Sequence, residues 1–311
     1  MAQRTAAGGP RALSFPRALF RYRWLYALLI PGLIWLVLFC YLPMFGLVIA
    51  FQDYKLFGGV WKSPLIGFDN FAYLFRSNMF LSALGNTFII SAYKLLFGFP
   101  VPILFALMMN ELRSRKLKRT VQTVLYLPHF LSWVIMFGLI FNFLSEFGPL
   151  NKLIGMLGGQ PIYFLSDTRY FRGVVVVSDI WKEVGWSAII YLAALAGISP
   201  DLYEAATIDG ASRFKCLLHI SLPGILPTIT IMLLLRVGAI MNVGFDQIFN
   251  LYNPAVLSVG DIIDTYVYRI GLLQTKFGYS AAAGMFKSVV ALALVLITNF
   301  FVKKTEQGGL F

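Results

Sequence analysis

Two apolar runs constrain this chain more than any other feature of its sequence. Residues 24–52 and 120–145 contain no Asp, Glu, Lys or Arg, and each run is longer than the roughly 20 residues that a helix needs to cross a bilayer. Four further segments are as apolar but carry isolated charges: 79–110, 174–199, 223–247 and 279–302. With 59% hydrophobic and 13% charged residues, the chain falls outside the range of soluble domains. The sequence therefore predicts an all-α membrane protein with six transmembrane helices.

Basic residues are distributed unevenly between the segments that separate these spans. If both termini lie in the cytoplasm, the inner segments hold 14 Lys or Arg and the longer outer loops hold eight. Cytoplasmic segments of membrane proteins carry such an excess, which predicts an N-in, C-in topology. The net charge of +12 is therefore interpreted as a signal for orientation and for contact with anionic lipid, and no nucleic-acid partner is expected.

The spans divide the chain into four parts. A basic N-terminal tail (1–23) precedes the first transmembrane helix with its outer loop (24–78), a core transmembrane domain (79–302) and a C-terminal tail (303–311). The first apolar run is too long for the core of a secretory signal, which has roughly 7–15 residues. We therefore expect it to be retained as a helix.

A polar insertion at 200–222 separates the fourth and fifth spans. Ser199 is a suitable N-cap, and Pro200 suits the first position of a helix. Asp209-Gly210 then supplies a break, because Gly adopts a positive φ that other residues resist. The insertion is therefore predicted to form a helix, a tight turn and a second helical run outside the membrane.

The insertion also carries a pattern with fixed spacing, namely Glu-Ala-Ala, three residues, Gly, nine residues and Ile-x-Leu-Pro. Its members are Glu204, Ala205, Ala206, Gly210, Ile220, Leu222 and Pro223. The pattern resembles the signature loop of the permease subunits of bacterial binding-protein-dependent (type I) ABC importers. The runs 126–133 and 244–250 resemble the branch of these importers that carries oligosaccharides and polysaccharide breakdown products.

This resemblance implies the type I ABC importer permease fold with a cytoplasmic coupling-helix insertion, in the cytoplasmic membrane of a bacterium. It implies pairing with a second permease subunit, which we expect to be a different homologous chain. Each permease would insert its loop into one of two cytoplasmic ATPase subunits, and an extracytoplasmic binding protein would deliver the sugar to the outer loops. Glu204 would offer a carboxylate to the ATPase, Gly210 would supply the turn, and Ala205 and Ala206 would allow close approach. Asp209, Ile220, Leu222 and Pro223 complete the predicted coupling residues.

The chain lacks the motifs of nucleotide-binding and catalytic sites. It contains no Gly-Lys dipeptide, so the phosphate-binding loop G-x-x-x-x-G-K-[ST] cannot form. Its two His and two Cys do not have the spacing of a metal site. We therefore expect no catalytic residue, metal or cofactor on this chain, and expect ATP and Mg²⁺ to be used by the partner ATPases.

Polar and aromatic side chains within the spans are candidates for the substrate path, because such groups bind sugar hydroxyls and sugar rings. They are Asn242, Phe245, Asp246 and Asn250 on the fifth span and Trp186 and Tyr191 on the fourth. Asn242, Asp246 and Asn250 repeat every four residues, which would place them on one helix face. Helix–helix hydrogen bonding and lipid contact are the alternative interpretations.

The roles of three charged residues within the spans stay open: Lys94, Arg236 and Lys287. Arg236 is expected to pair with a carboxylate or with the partner permease. Two other functions also stay open. The chain could serve an importer of a non-sugar solute, or it could be an ion-coupled secondary transporter. The latter predicts internal repeats, and none is evident in the sequence.

Overall fold

The computed structural model describes residues 21–303. Most of the predicted N-terminal tail, and residues 304–311 of the predicted C-terminal tail, lie outside this range. Within it the chain is mainly helical, and its only β-pairing is an isolated bridge between Gln52 and Leu65. The expected all-α architecture is therefore confirmed for the described residues.

The helices follow one another with short connections. In chain order, the α-helices are α1 Arg23–Leu36, α2 Leu42–Met44, α3 Gly59–Lys62, α4 Asp69–Arg76, α5 Asn78–Tyr93, α6 Pro100–Glu111, α7 Arg115–Tyr126, α8 Trp133–Leu144, α9 Pro149–Met156, α10 Thr168–Ala196, α11 Pro200–Ile208, α12 Arg213–Cys216, α13 Leu222–Gly224, α14 Leu226–Gly238, α15 Phe245–Leu251, α16 Leu257–Gly260, α17 Ile263–Tyr268 and α18 Phe277–Lys303. Wider π turns occupy Val37–Tyr41, Lys94–Gly98, Leu217–Ser221 and Arg269–Leu273, and tighter 3-10 turns occupy Phe45–Phe51, Leu127–Phe130 and Pro254–Val256.

Four helical stretches of the described range are long and apolar enough to cross a membrane. They are Arg23–Phe51, Asn78–Glu111, Trp133–Met156 and Phe277–Phe300. Two bent pairs also pass when each is taken as one span: α10 with α11, bent by 69°, and Arg213–Gly224 with α14, bent by 57°. The range of four to six candidate spans includes the predicted six.

The predicted third span, 120–145, is wrong as a continuous helix. α7 ends before a 3-10 turn at Leu127–Phe130, and α8 begins only after Ser132. Pro128 lies in this turn, where it lacks a backbone donor, and the helical path ends at Leu131, whose backbone is extended (φ -79°, ψ 140°). Ser132 then caps α8, because its Oγ accepts the N–H of Ile135 at 3.3 Å.

The predicted fifth span, 223–247, is interrupted as well. α14 ends at Gly238 and α15 begins at Phe245. Between the two helices, Gly244 adopts a φ of 103°, a conformation that side-chain-bearing residues rarely adopt. Asn242 therefore precedes α15 and lies on no helix, so the predicted stripe with a four-residue repeat does not form.

Three apolar clusters form the core of the described residues. The first packs α4, α5, α17 and α18 around the 3-10 turn that follows α2. The second joins α5, α8, α10 and α15, and the third packs α6 against α10 and the start of α14. Because α10 belongs to two of these clusters and continues into the bend before α11, it links the interior of the helix bundle to the polar insertion.

Candidate coupling insertion and substrate path

The insertion begins as its capping residues predict. The Ser199 Oγ accepts the backbone N–H of Asp201 at 3.3 Å, and Pro200 occupies the first position of α11. A capping hydroxyl satisfies one of the backbone donors that a helix leaves free at its start. The new helix therefore starts within a few residues of the end of α10, at an angle of 69° to it.

α11 ends in a turn that needs a glycine. The N–H of Ala211 donates to the carbonyl of Ala206 at 2.8 Å, and the N–H of Gly210 donates to that of Thr207 at 3.1 Å. This pair of bonds is the Schellman arrangement, which requires a left-handed residue just after the helix. Gly210 supplies it with a φ of 75°, and a Cβ built at this position would meet nothing within 4 Å.

The predicted coupling residues around this turn are mostly exposed. Glu204, Ala205 and Asp209 are exposed, whereas Ala206 is half-buried. Leu202, which the sequence places on one apolar stripe with Ala205 and Ala206, is 53% exposed. Sequence reasoning missed two further large apolar side chains beside them, Ile208 and Phe214, which are 86% and 69% exposed. Exposed apolar side chains rimmed by polar groups mark interaction sites. Their occurrence within a short polar insertion was a signal that the sequence already held.

The returning half of the insertion is anchored to the bundle. Ser221 is buried, and its Oγ lies 2.9 Å from the hydroxyl of Tyr203 on α11. Leu222 packs against the third cluster, Ile220 is half-buried, and Pro223 is exposed. The insertion is therefore tied across its base by one hydrogen bond and by apolar packing, while its turn projects freely.

Removing the Tyr203 hydroxyl should loosen this base. Tyr203→Phe leaves the buried Ser221 hydroxyl without that partner and is expected to destabilise the protein by about 1 kcal/mol. The thermal unfolding midpoint of the purified protein measures this change. Tyr163→Phe is the matched control, since that side chain is 59% exposed. Equal midpoints for the two variants would contradict the proposed role of the hydrogen bond.

A buried lysine holds the interruption between α14 and α15. Lys94 is 5% exposed, and its Nζ donates to Asp179 Oδ1 at 2.7 Å, to the Val243 carbonyl at 2.7 Å and to Gln247 Oε1. An ammonium group has three donors, and all three are used here. The lysine thus compensates a carbonyl that the broken helix leaves free.

Two further contacts connect this lysine site to its surroundings. The Gln247 Nε2 donates to the Val175 carbonyl at 2.7 Å and to Ser178 Oγ at 2.9 Å, which binds α15 to α10. Arg236 on α14 donates to Asp179 Oδ2 at 3.4 Å, so the expected pairing of Arg236 with a carboxylate is found within the chain. The site therefore joins α5, α10, α14 and α15.

A second buried lysine holds the other interruption. The Nζ of Lys182 on α10 donates to the carbonyls of Pro128, His129 and Leu131 at 3.2, 2.6 and 2.8 Å. All three acceptors lie between α7 and α8, where the continuous helix was expected. Each of the two breaks is thus held by one cation that donates to backbone carbonyls, and α10 participates in both.

The two aromatic candidates on α10 have different environments. Trp186 is 46% exposed and stacks on His129 with ring centroids 4.4 Å apart, while His129 Nδ1 lies 2.9 Å from Glu183 Oε2. Tyr191 is buried, and it lines a cavity of about 100 Å³ together with charged side chains that include Arg236.

The remaining path candidates are only partly brought together. Asn242 is exposed and lines a cavity of about 40 Å³ with Ser91, Lys94 and Arg236. On α15, Phe245 stacks on Phe249 with centroids 5.1 Å apart, Asp246 is exposed, and Asn250 donates to the Asp246 carbonyl at 2.7 Å.

Sequence reasoning missed Asp179, Lys182 and Gln247 and left Lys94 ambiguous. Polar and charged residues within spans are costly and mark functional or structural centres, so the charges of Asp179 and Lys182 and the polar amide of Gln247 were the available signal. The described side chains offer donors, acceptors and aromatic faces that suit binding of a polar solute.

Comparison with known proteins gives matches along almost the whole chain. Residues 98–307 match the family described as binding-protein-dependent transport system inner membrane component. The protein LplB of Bacillus subtilis (strain 168) is 47% identical, over 97% of this chain and 95% of its own. The polygalacturonan/rhamnogalacturonan transport system permease protein YteP of the same organism is 44% identical, over 94% and 92%.

A solved structure shares the fold. A chain from the crystal structure of a bacterial alginate ABC transporter in complex with an alginate pentasaccharide-bound periplasmic protein superposes with a TM-score of 0.89 at 42% identity. The superposition covers 96% of this chain and 100% of that chain. The overall arrangement of helices described above therefore recurs in a solved transporter.

Proposed function

Because this chain belongs to the family of inner membrane components of binding-protein-dependent transport systems, we propose that it is the permease subunit of an ATP-driven importer of oligosaccharides or other polysaccharide breakdown products. The family match confirms the resemblance predicted from the pattern at 204–223, and the superposition confirms the type I ABC permease fold. The chain is a multi-pass protein of the cytoplasmic membrane. The similarity to YteP and to the alginate transporter, over more than nine-tenths of the chain, carries the sugar assignment.

The proposal includes the partners that the resemblance implies. A second, homologous permease completes the pathway, two cytoplasmic ATPase subunits use ATP and Mg²⁺, and an extracytoplasmic binding protein delivers the sugar. The solved relative is an ABC transporter in complex with a periplasmic protein that holds an alginate pentasaccharide, which supports this assembly. This chain would contribute movement and a pathway, and no hydrolytic chemistry.

The proposed topology has six spans with both termini inside. Counting each bent helix pair as one span gives six among the described residues, and the excess of basic residues in the inner segments supports the orientation. The division into a first helix with its loop (24–78) and a core (79–302), flanked by the tails 1–23 and 303–311, is part of this proposal. α1 buries none of its residues within the chain, which leaves its surface for lipid or for the partner permease.

The insertion would couple this chain to one ATPase. Its exposed turn at Gly210 would enter a cleft of that subunit, with the carboxylate of Glu204 facing a donor group and Ala205 and Ala206 allowing close contact. The apolar side chains of Leu202, Ile208 and Phe214 would provide the buried area of the interface. When the ATPases close on ATP, packed helices would move as rigid bodies and change the side on which the pathway is open.

The substrate path would run along the polar surface beside the two helix interruptions. Asn242, Phe245, Asp246 and Asn250 would contact the sugar, and the aromatic faces of Trp186 and Tyr191 would lie farther along the path. Transporters place binding sites at discontinuous helices, because backbone polar groups are available there. The breaks before α8 and before α15 support this placement.

Asp246 offers the sharpest test of the path. Asp246→Ala is expected to slow uptake about fivefold, since one hydrogen bond from a sugar hydroxyl to the carboxylate contributes about 1 kcal/mol. Initial uptake rates in proteoliposomes, at saturating binding protein, measure the effect. Asp246→Asn keeps an acceptor at the position and should retain most of the rate. An unchanged rate in Asp246→Ala would remove this residue from the path.

The function itself is tested by reconstitution. The chain is co-expressed with the permease, ATPase and binding-protein subunits that are encoded beside it in the genome. The purified complex is then placed in proteoliposomes. We expect co-purification of a nucleotide-binding subunit and uptake of galacturonate oligosaccharides that requires ATP and the loaded binding protein. Uptake driven by an ion gradient without ATP would favour the secondary transporter. ATP-driven uptake of a non-sugar solute alone would support the importer but refute the sugar as its substrate.

A further inference from the structure

The guanidinium group of Arg236 is the most exposed charge in the network around the two helix interruptions. Its side chain is 46% exposed, whereas those of Lys94 and Asp179 are 7% and 14% exposed. Arg236 lies ten residues beyond the start of α14, about 15 Å along the helix axis. It is also near the midpoint of the predicted fifth span, 223–247, which places it within the membrane in the proposed topology.

Arg236 also has free binding capacity. Its bond to Asp179 is 3.4 Å long, and the other oxygen of that carboxylate already accepts from Lys94 at 2.7 Å. A guanidinium group has five N–H donors arranged for bidentate binding of a carboxylate. Lys94, in contrast, uses its three donors within the chain. Arg236 is therefore the cation of this network that can bind a further anion.

The charges of the network do not balance. Its charged members are Lys94, Lys182 and Arg236 and the carboxylates of Asp179 and Glu183, joined by contacts of 2.7 to 4.0 Å within each pair. Asp179, Glu183 and Arg236 also line one cavity, and the ring of His129, 2.9 Å from Glu183, can only add positive charge. One positive charge remains in excess. An uncompensated charge in the middle of a membrane costs about 2.5–3.5 kcal/mol on insertion scales, and an incoming carboxylate would compensate it.

Arg236 lines two cavities, and the larger one, of about 100 Å³, also has Asp179 and Glu183 in its lining, which disfavours an anion there. The smaller one suits an incoming carboxylate better. It measures about 40 Å³ and is lined by Ser91, Lys94, Asn242 and Arg236 among its polar residues, with no Asp or Glu among the described residues that line it. A cavity needs roughly 10–15 Å³ measured in this way to hold one water molecule. The cavity thus has room for a small charged group.

We propose that Arg236 binds the carboxylate of an acidic, uronate-containing oligosaccharide as it passes, so that the importer selects anionic sugars. This inference rests on the proposed function and narrows its substrate class. Asn242 donates or accepts a hydrogen bond beside the carboxylate, and Lys94 adds positive potential without releasing its own partners. Polygalacturonan and alginate, which appear in the names of the relatives, are polymers of uronic acids.

The experiment compares charged and uncharged probes in proteoliposomes that contain the complete complex, saturated with loaded binding protein. The probes are trigalacturonate and its methyl ester, and the variants are Arg236→Gln and Arg236→Lys. We expect Arg236→Gln to slow uptake of trigalacturonate at least about tenfold, the ratio for about 1.4 kcal/mol, and uptake of the ester less than about twofold. Arg236→Lys should stay within about threefold of wild type. The lysine ammonium group keeps the positive charge that attracts the carboxylate, but it lacks the paired N–H donors of a guanidinium group and therefore binds less well.

Lys287→Gln is the matched control, because it also removes one cation from a span. Lys287 pairs with Asp264, and neither residue lines the cavity. Equal slowing of both probes by Arg236→Gln, or slowing of neither, would overturn the inference while wild-type uptake still supports the importer. If the binding protein delivers only the charged probe, a rate with Arg236→Lys at least about fivefold above that with Arg236→Gln supports the inference, and equal rates overturn it. Wild-type uptake of the ester alone would also overturn it. Gradient-driven uptake without ATP would instead contradict the proposed function.

Discussion

Gly210→Asp is expected to reduce sugar uptake and sugar-stimulated ATP hydrolysis below about a tenth of the wild-type rates, with the protein still inserted and folded. The backbone at this position has a φ of 75°, where a side chain costs about 1–2 kcal/mol. A carboxylate just beyond the end of α11 also opposes the helix dipole. Apart from its chain neighbours, no described residue has an atom within 4 Å of a Cβ built there, so the added side chain is free to clash with the ATPase that we propose to bind this turn.

Gly158→Asp separates the coupling defect from backbone strain. Gly158 has a φ of 82°, and a Cβ built there also meets nothing within 4 Å, but it follows α9 and lies far along the chain from the insertion. Membrane yield, uptake and ATP hydrolysis are measured for both variants. We expect Gly158→Asp to retain most of the activity. Wild-type rates in Gly210→Asp, or equal losses in both variants, would refute the coupling role of this turn.

Lys94→Met is expected to have the largest effect on stability. It leaves the carboxylate of Asp179 buried with only the long contact to Arg236, and it removes the donor that binds the Val243 carbonyl in the helix interruption. Breaking one side of a buried ion pair costs about 3–5 kcal/mol. The thermal midpoint and the monodisperse fraction of the purified complex should both fall strongly.

Two further variants show whether the charge or the packing is responsible. Lys94→Met combined with Asp179→Leu removes both charges and should recover part of the lost stability, because the unpaired carboxylate is gone. Lys287→Met breaks the pair with Asp264, whose side chains are 16% and 25% exposed, and should cost less. A double variant no more stable than Lys94→Met would indicate that the contacts to Val243 and Gln247 dominate.

The helix ends of the insertion were predictable, because they depend on local chemistry. Ser199, Pro200 and Gly210 each determine a backbone conformation through their own side chain or its absence. The coarse number of spans was also predictable, since long apolar runs must be helical in a membrane. These features need no knowledge of which helices are neighbours.

The interruptions were not predicted, because hydropathy does not distinguish a continuous apolar helix from a broken one. Pro128 and Gly244 were local hints, but a proline or glycine within a membrane span is often tolerated. The ion pair between Lys94 and Asp179 joins residues 85 positions apart, and a single sequence contains no information on such a pairing. Asn242 was therefore assigned to the same helix face as Asp246 and Asn250, although only the latter two lie on α15.

One helix contributes to both interruptions and leads directly to the exposed insertion. α10 provides Asp179 and the acceptors for Gln247 on one side, and Lys182 for the backbone before α8 on the other. A rotation of α10 about its axis would consequently shift both sites together, so we expect the proposed pathway to open and close as one unit. Spin-label distances from α10 to residues 131 and 243 should change together through the transport cycle, and independent changes would show two separate gates.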